Sequence, residues 1–337
     1  MFIKKLGLSL LLAVAFLSCE PEAFSPEDTT PFALKLPEGF PAPAIPEDNA
    51  LTEARVALGK RLFYDPVLSS DSSISCQSCH RQELAFADDR PISPGVQGRL
   101  GFRNSPTLAN VAYLSRINKD GGVTKLDLQA IVPIEDHAEM DFSILLAAER
   151  LNAMPTYEAA FAKAYGEHAS PFTITRALGS FMRTMISGHS RYDIAQQGGA
   201  PLSAAEARGE MLFFSSRTQC STCHSGFNFT QNQFLNNGLY LEYEDGGRHR
   251  VTLQEEDMGK FRVPTLRNIS VTAPYMHDGS LADLRAVVQH YNQGGKGHAN
   301  QDPRVKPLGL SEQEQSDLIA FLQTLTDTAF LTDEQFR

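Results

Sequence analysis

Cys76-Gln77-Ser78-Cys79-His80 and Cys220-Ser221-Thr222-Cys223-His224 are the two places where this sequence concentrates chemistry. Each reads C-x-x-C-H, the attachment motif of a c-type haem. Two thiols about one helical turn apart can bond the two vinyl groups of one haem, and the adjacent imidazole then falls under the iron as its proximal ligand. A four-Cys zinc site would not explain a His directly after each pair, and it usually has closer pairs. A redox C-x-x-C of the thioredoxin kind needs a βαβ context that this sequence lacks. Both motifs therefore read as covalent haem sites, Cys76, Cys79 and His80 holding one haem and Cys220, Cys223 and His224 the other.

The elements that must hold these motifs repeat. Gly59-Lys-Arg-Leu62-Phe63-Tyr64 precedes the first motif and Gly209-Glu-Met-Leu212-Phe213-Phe214 the second. Each box ends a helical segment that runs into a haem motif, so one cytochrome-like module is used twice. The cut falls in the Gly- and Pro-bearing stretch near 190–202, which predicts domains at 51–195 and 196–337. Ile174, Ala177, Leu178, Phe181, Met182, Met185 and Ile186 follow the spacing of one buried helix face. Ser311 with Glu314 forms a capping box, with Leu318, Ile319, Leu322 and Leu325 on one face behind it. Sustained strand alternation is absent. The expected fold class is mostly α, two cytochrome c-like haem domains in one chain.

The chain has 337 residues, 42% hydrophobic and 21% charged, enough for two globular domains. Five Cys, four of them in the haem motifs, rule out a disulfide scaffold. The net charge of −10 argues against nucleic acid and suits a basic protein partner. Lys4 and Lys5 precede an apolar run from Leu8 to Leu17 that is too short for a mature span. It ends in Ser18-Cys19, with Phe16 where a bacterial lipobox usually has Leu. Residues 1–18 are therefore expected to be a lipoprotein signal, with Cys19 lipidated and anchored to a membrane. Residues 19–50, rich in Pro and acid, are expected to form an extended tether. Export fits c-type haem, which is attached outside the cytoplasm. The expected location is the periplasm, or the outer membrane or cell surface as a lipoprotein.

Four further boxes stand in order around the haem motifs: RNSPTLANVAY (103–113), QAIVPIEDHAEM (129–140), FRVPTLRNISVTAPYMHDGSL (261–281) and VVQHYNQGG (287–295). With them the chain resembles the bacterial di-haem cytochrome c peroxidase and MauG family over roughly residues 50–326. The resemblance implies Glu139 as the acid–base group that moves a proton between peroxide oxygens, with Gln129 as its polar neighbour. It implies an open first haem, because no His lies between Arg81 and Arg103 to close it. It implies Tyr291, fourteen residues after His277, as sixth ligand of the second haem, with His290 and Met276 as other candidates. Members that draw electrons from cytochrome c usually have Met there, and MauG-like members have Tyr. His277 is expected beside this haem as a hydrogen-bonding group. A Ca²⁺ between the domains is implied by the Asn104 side chain and the Thr272 and Pro274 carbonyls. Lys119 stands where the family carries a Trp between its haems. Lys cannot host a hole, so electron exchange between haems should slow or detour, with Tyr113 one candidate detour. His137, His168, His189, His249 and His298 are assigned nothing.

The leading expectation is a di-haem peroxidase that reduces H₂O₂ with electrons from a cytochrome c-like donor. One alternative is a MauG-like oxidase acting on a partner protein, and another is a non-catalytic di-haem electron carrier. The family is often dimeric, which makes a homodimer one state to expect.

Overall fold

Polar caps and apolar spacing set where the helices begin and which faces they bury. The computed structural model describes residues 27–337, so the signal segment, Cys19 and the first residues of the expected tether lie outside the described residues. The first half contains α1 (Glu53–Tyr64), α2 (Leu126–Gln129), α3 (Ile131–Glu135), α4 (Ile144–Asn152), α5 (Pro155–Tyr165) and α6 (Pro171–Arg183). There follow α7 (Arg191–Gln196), α8 (Ala204–Phe213), α9 (His249–Thr252), α10 (Leu284–Gln293), α11 (Glu312–Gln323) and α12 (Thr328–Thr332). Two-residue strands β1 (Phe234–Leu235) and β2 (Phe261–Arg262) pair antiparallel, Phe234 facing Arg262. The expected box at Ser311 closes as written: Ser311 Oγ accepts from Glu314 N and the Glu314 carboxylate accepts from Ser311 N at 2.8 Å. Ser203 and Glu206 do the same at the start of α8. No helix among the described residues is long and apolar enough to cross a membrane.

Two helix pairs carry the duplicated plan. α1 packs on α6, and α8 packs on α11. A Cβ at Gly59 would stand 1.9 Å from the Ala177 carbonyl oxygen, and one at Gly209 would stand 1.9 Å from that of Asp317. Each glycine therefore lets two helix backbones meet where any side chain would hold them apart. Four residues on, Phe63 and Phe213 enter separate cores, each against a Phe of the crossing helix. The Phe63–Phe181 centroids are 5.3 Å apart and the Phe213–Phe321 centroids 5.1 Å. The predicted face of α6 is buried from Ile174 to Met185, although the helix itself ends at Arg183.

The packing departs from the expected division at the ends. Phe330 and Phe336, placed in 196–337 by the sequence reading, are buried in the first core with Phe63, Phe86 and Phe181. Tyr192 packs on the second core, against Phe229 and Phe321. The described part of the tether also corrects expectation, because it is docked. Asn49 is fully buried and donates to Asp127 Oδ1 at 2.9 Å. Glu27 pairs with Arg55 at 2.6 Å, and the Phe40 ring lies 4.7 Å from that of Phe227. A polar seam locks the two units together. Asp327 Oδ2 accepts from Ser187 Oγ, Gly188 N and His189 N at 2.9–3.1 Å. Asn110 Nδ2 donates to the Ser187 carbonyl at 2.8 Å and to Asn228 Oδ1 at 3.0 Å.

Candidate active site

Each C-x-x-C-H motif opens with a single 3₁₀ turn, Cys76–Ser78 and Cys220–Thr222, which turns both thiols and the following His to one side. That side is the wall of a cavity. The first, about 330 Å³, is lined by Cys76, Cys79 and His80 and by apolar residues such as Phe63, Leu108 and Met182. The second, about 300 Å³, is lined by Cys220, Cys223 and His224 with Phe213, Leu284 and Leu322. Two thiols, one imidazole and an apolar pocket of like size in each half fit one c-type haem apiece.

The two histidines are oriented by the same device. His80 donates Nδ1–H to the Phe86 carbonyl at 2.8 Å, and His224 donates Nδ1–H to that of Phe229 at 3.1 Å. Nε2 is then the ring's lone-pair nitrogen, as a metal ligand requires. Burial pushes both histidines below their usual pKa, His224 to about 4, which favours the neutral ring. Phe86 and Phe229 adopt left-handed backbone, φ 59° and 48°, which turns their carbonyls back onto the histidines. One step earlier, the Ala85 carbonyl accepts from Thr107 Oγ1 at 2.5 Å and the Asn228 carbonyl from Thr265 Oγ1 at 2.7 Å. Both threonines belong to a repeated Pro-Thr-Leu-x-Asn segment, 106–110 and 264–268. The repeat lies inside the boxes at 103–113 and 261–281, and only the structure shows that its threonines face the haem-motif loops.

The cavities differ in what faces the imidazole from elsewhere. Gln129, at the end of α2, and Glu139, in the loop after α3, both line the first cavity. No hydrogen bond joins them among the described residues. Glu139 is open to the cavity but ringed by protein. Desolvation, with repulsion from Asp136, pushes its carboxyl up to about 7. Its backbone is pinned: Val96 N donates to the Glu139 carbonyl at 2.8 Å, and a Cβ on Gly95 would come within 2.4 Å of that oxygen. Gly95 and Val96 carry no local signal for this role, since their partner lies more than forty residues away.

Tyr291 and Met276 both line the second cavity, and His277 joins them. Asn237 Nδ2 reaches Met276 Sδ at 3.2 Å and the Tyr291 hydroxyl at 3.5 Å. Burial raises the Tyr291 phenol to about 12. His290 turns away, its Nε2–H donating to the Asn237 carbonyl at 3.0 Å. The His277 ring stacks on Phe261, centroids 4.1 Å apart. Tyr113 lies outside both cavities, its hydroxyl donating to the Pro41 carbonyl at 2.9 Å.

Lys119 lines both cavities. Its ammonium donates to Asn104 Oδ1 at 3.4 Å and to the Met276 carbonyl at 3.1 Å. Of the expected Ca²⁺ donors, the Asn104 side-chain oxygen faces Lys119.

Residues 53–200 match the family model of di-haem cytochrome c peroxidase, and residues 206–326 match that of cytochrome c. The chain is 36% identical to cytochrome-c peroxidase IdrP1 of Denitromonas iodatirespirans, covering 96% of this chain and 93% of that protein. It is 36% identical to methylamine utilization protein MauG of Methylorubrum extorquens, over 86% of this chain and 82% of MauG. It superimposes on the crystal structure of a MauG-like protein associated with microbial copper homeostasis with a TM-score of 0.86. The two are 35% identical, and the match covers 91% of this chain and 99% of that one.

Proposed function

Since this chain belongs to the di-haem cytochrome c peroxidase family, we propose that it reduces H₂O₂ to water at the first cavity, using electrons from a cytochrome c-like donor that enter through the second. The bound haems supply the iron that takes peroxide and the electrons for its cleavage. The observation that carries the reading is the asymmetry of the cavities. One has a carboxyl whose pKa is about 7, and the other has a phenol and a thioether.

Glu139 takes the proton from one peroxide oxygen and gives it to the other, so the O–O bond breaks with water as the leaving group. A carboxyl near neutrality can do both at physiological pH. Gln129 holds the polar side of the same cavity. Two electrons and two protons convert each H₂O₂ to two waters. Tyr291, which lines the second cavity, would hold the iron of the haem there and so keep peroxide from it, leaving that unit to electron transfer. An acidic chain suits a basic donor protein. Lipidation at Cys19 would hold the enzyme at a membrane surface in the periplasm, and a homodimer is one assembly open to it.

The test is oxidation of reduced cytochrome c by H₂O₂ with the fully haem-loaded protein. Sustained turnover that collapses in Glu139→Gln supports the proposal, and no turnover with any reduced cytochrome sinks it. A second reading, oxidation of a dedicated partner protein, draws on Tyr291, the ligand type of MauG-like members. Peroxide consumption without cytochrome oxidation, together with covalent change in a co-exported protein, would favour it.

A further inference from the structure

We propose that Lys119 is a built-in cation between the two haem units, standing where relatives of this fold would bind Ca²⁺, so that this protein neither holds nor needs that ion. The inference is independent of which substrate the enzyme oxidises. It rests on what surrounds the Asn104 side chain.

Asn104 comes from the first unit and Met276 from the second, and one ammonium bonds the oxygens of both. Asn104 is buried, and its backbone N–H donates to the His277 carbonyl at 2.8 Å, so its side chain is held against the second unit. Its amide nitrogen donates to the Arg90 carbonyl at 3.1 Å, which commits Oδ1 to the side where Lys119 lies.

A divalent ion would meet poor terms at this place. Ca²⁺ asks for six to eight oxygens, drawn from carboxylates, carbonyls and waters. The nearby carboxylates are already committed. Asp120 and Asp245 both grip Arg103, at 2.6 Å each, and Asp278 accepts from the Tyr240 hydroxyl at 2.6 Å. Arg103 and Arg262 repel any cation here, and burial disfavours it further. Repulsion doubles and desolvation roughly quadruples for a double charge, so a buried place that already holds one ammonium beside two guanidinium groups disfavours a divalent ion.

The test is metal content and heat stability of the haem-loaded protein, before and after exposure to excess EGTA and then CaCl₂. The expected result is well under one equivalent of calcium per chain. The unfolding temperature and haem spectrum should move with neither reagent. Lys119→Met keeps the length of the side chain and frees Asn104 Oδ1. It should unfold several degrees lower and take up Ca²⁺ that raises its unfolding temperature, whereas Lys119→Arg should remain indifferent to the ion. One tightly held calcium in the wild-type protein, or an EGTA-induced loss reversed by CaCl₂, overturns the proposal. So does a Lys119→Met protein whose stability equals that of wild type and ignores Ca²⁺. Should Lys119→Met fail to fold, the wild-type measurements decide alone.

Discussion

The two haem units are alike behind the histidine and unlike in front of it. Behind, the correspondence reaches single contacts. The Phe63–Phe86 ring distance of 5.9 Å has its counterpart in 6.0 Å for Phe213–Phe229, and Tyr64–Phe181 at 6.2 Å in 6.2 Å for Phe214–Phe321. In front, one unit offers a carboxyl and an amide, and the other a phenol and a thioether. Holding a haem needs two thiols, one oriented imidazole and an apolar wall, and both units meet that demand the same way. What happens on the haem depends on the few side chains that face it from loops and from α10. Attachment and reactivity are therefore separable, and each substitution below should affect one without the other.

The largest expected effect is on Glu139. Glu139→Gln keeps the shape of the side chain but cannot carry a proton. Peroxide turnover should fall roughly 10²–10⁴-fold, with both haems still attached and the spectrum of the second unchanged. In the wild-type protein kcat/KM for peroxide should rise with pH and level off above about 7, because the ionised carboxylate is the base. That limb should vanish in the variant. A variant with unchanged kinetics would remove Glu139 from the chemistry and leave the contrast between the cavities without a consequence.

Next comes Tyr291→Phe, which should alter only the second unit. Loss of the phenol oxygen leaves Met276 as the remaining ligand-type side chain beside Asn237. A thioether favours ferrous iron, so the potential of that haem should rise by on the order of 0.1 V. Redox titration followed by absorption reads both haems separately. An unshifted second haem would mean that Tyr291 is a wall residue.

Much of this architecture was legible from neighbours in the chain. Capping boxes, the buried face of α6 and the duplicated Gly-x-x-Leu-Phe box depend on residues a few positions apart, and pattern reading reaches that far. The cavity positions of Glu139 and Tyr291 came from counting along family boxes, which composition alone could not supply. Apart from the Pro-Thr-Leu-x-Asn repeat, the features that pattern reading does not reach are long-range. Phe330 and Phe336 cross back to the first core because Phe86 and Phe181 leave an apolar face there, and nothing near residue 330 announces it. The segment before residue 50 reads as a tether by its prolines, yet Asn49 finds Asp127 and Phe40 finds Phe227. Asn237 bridges Met276 and Tyr291 without any motif of its own.

The glycine pair tests whether the shared half is equally demanding in both units. Gly59→Ala and Gly209→Ala each push a methyl into a carbonyl of the crossing helix. Backbone cannot retreat as a side-chain tip can, so each should cost about 1–3 kcal/mol, seen as a lower unfolding temperature. Comparable losses are expected, because the two clashes have the same geometry. A harmless Gly209→Ala would mean that α8 and α11 slide where α1 and α6 do not.

The smallest effect sharpens the comparison most, since it concerns only how a histidine is aimed. Thr107→Val and Thr265→Val keep volume and remove a hydroxyl that bonds the carbonyl preceding Phe86 or Phe229. Each hydroxyl also accepts from the N–H two residues on, Ala109 or Arg267, at 3.1 Å. Losing it should cost about 1 kcal/mol. The more telling readout is spectral. If the threonine steadies the carbonyl that holds Nδ1, then Thr107→Val should perturb the first haem alone and Thr265→Val the second alone, because each chain of bonds ends on its own imidazole. A change in both haems from one substitution would locate the coupling in the polar seam instead. There Asn228 offers one side-chain oxygen both to Thr265, at 3.1 Å, and to Asn110 of the other unit, at 3.0 Å.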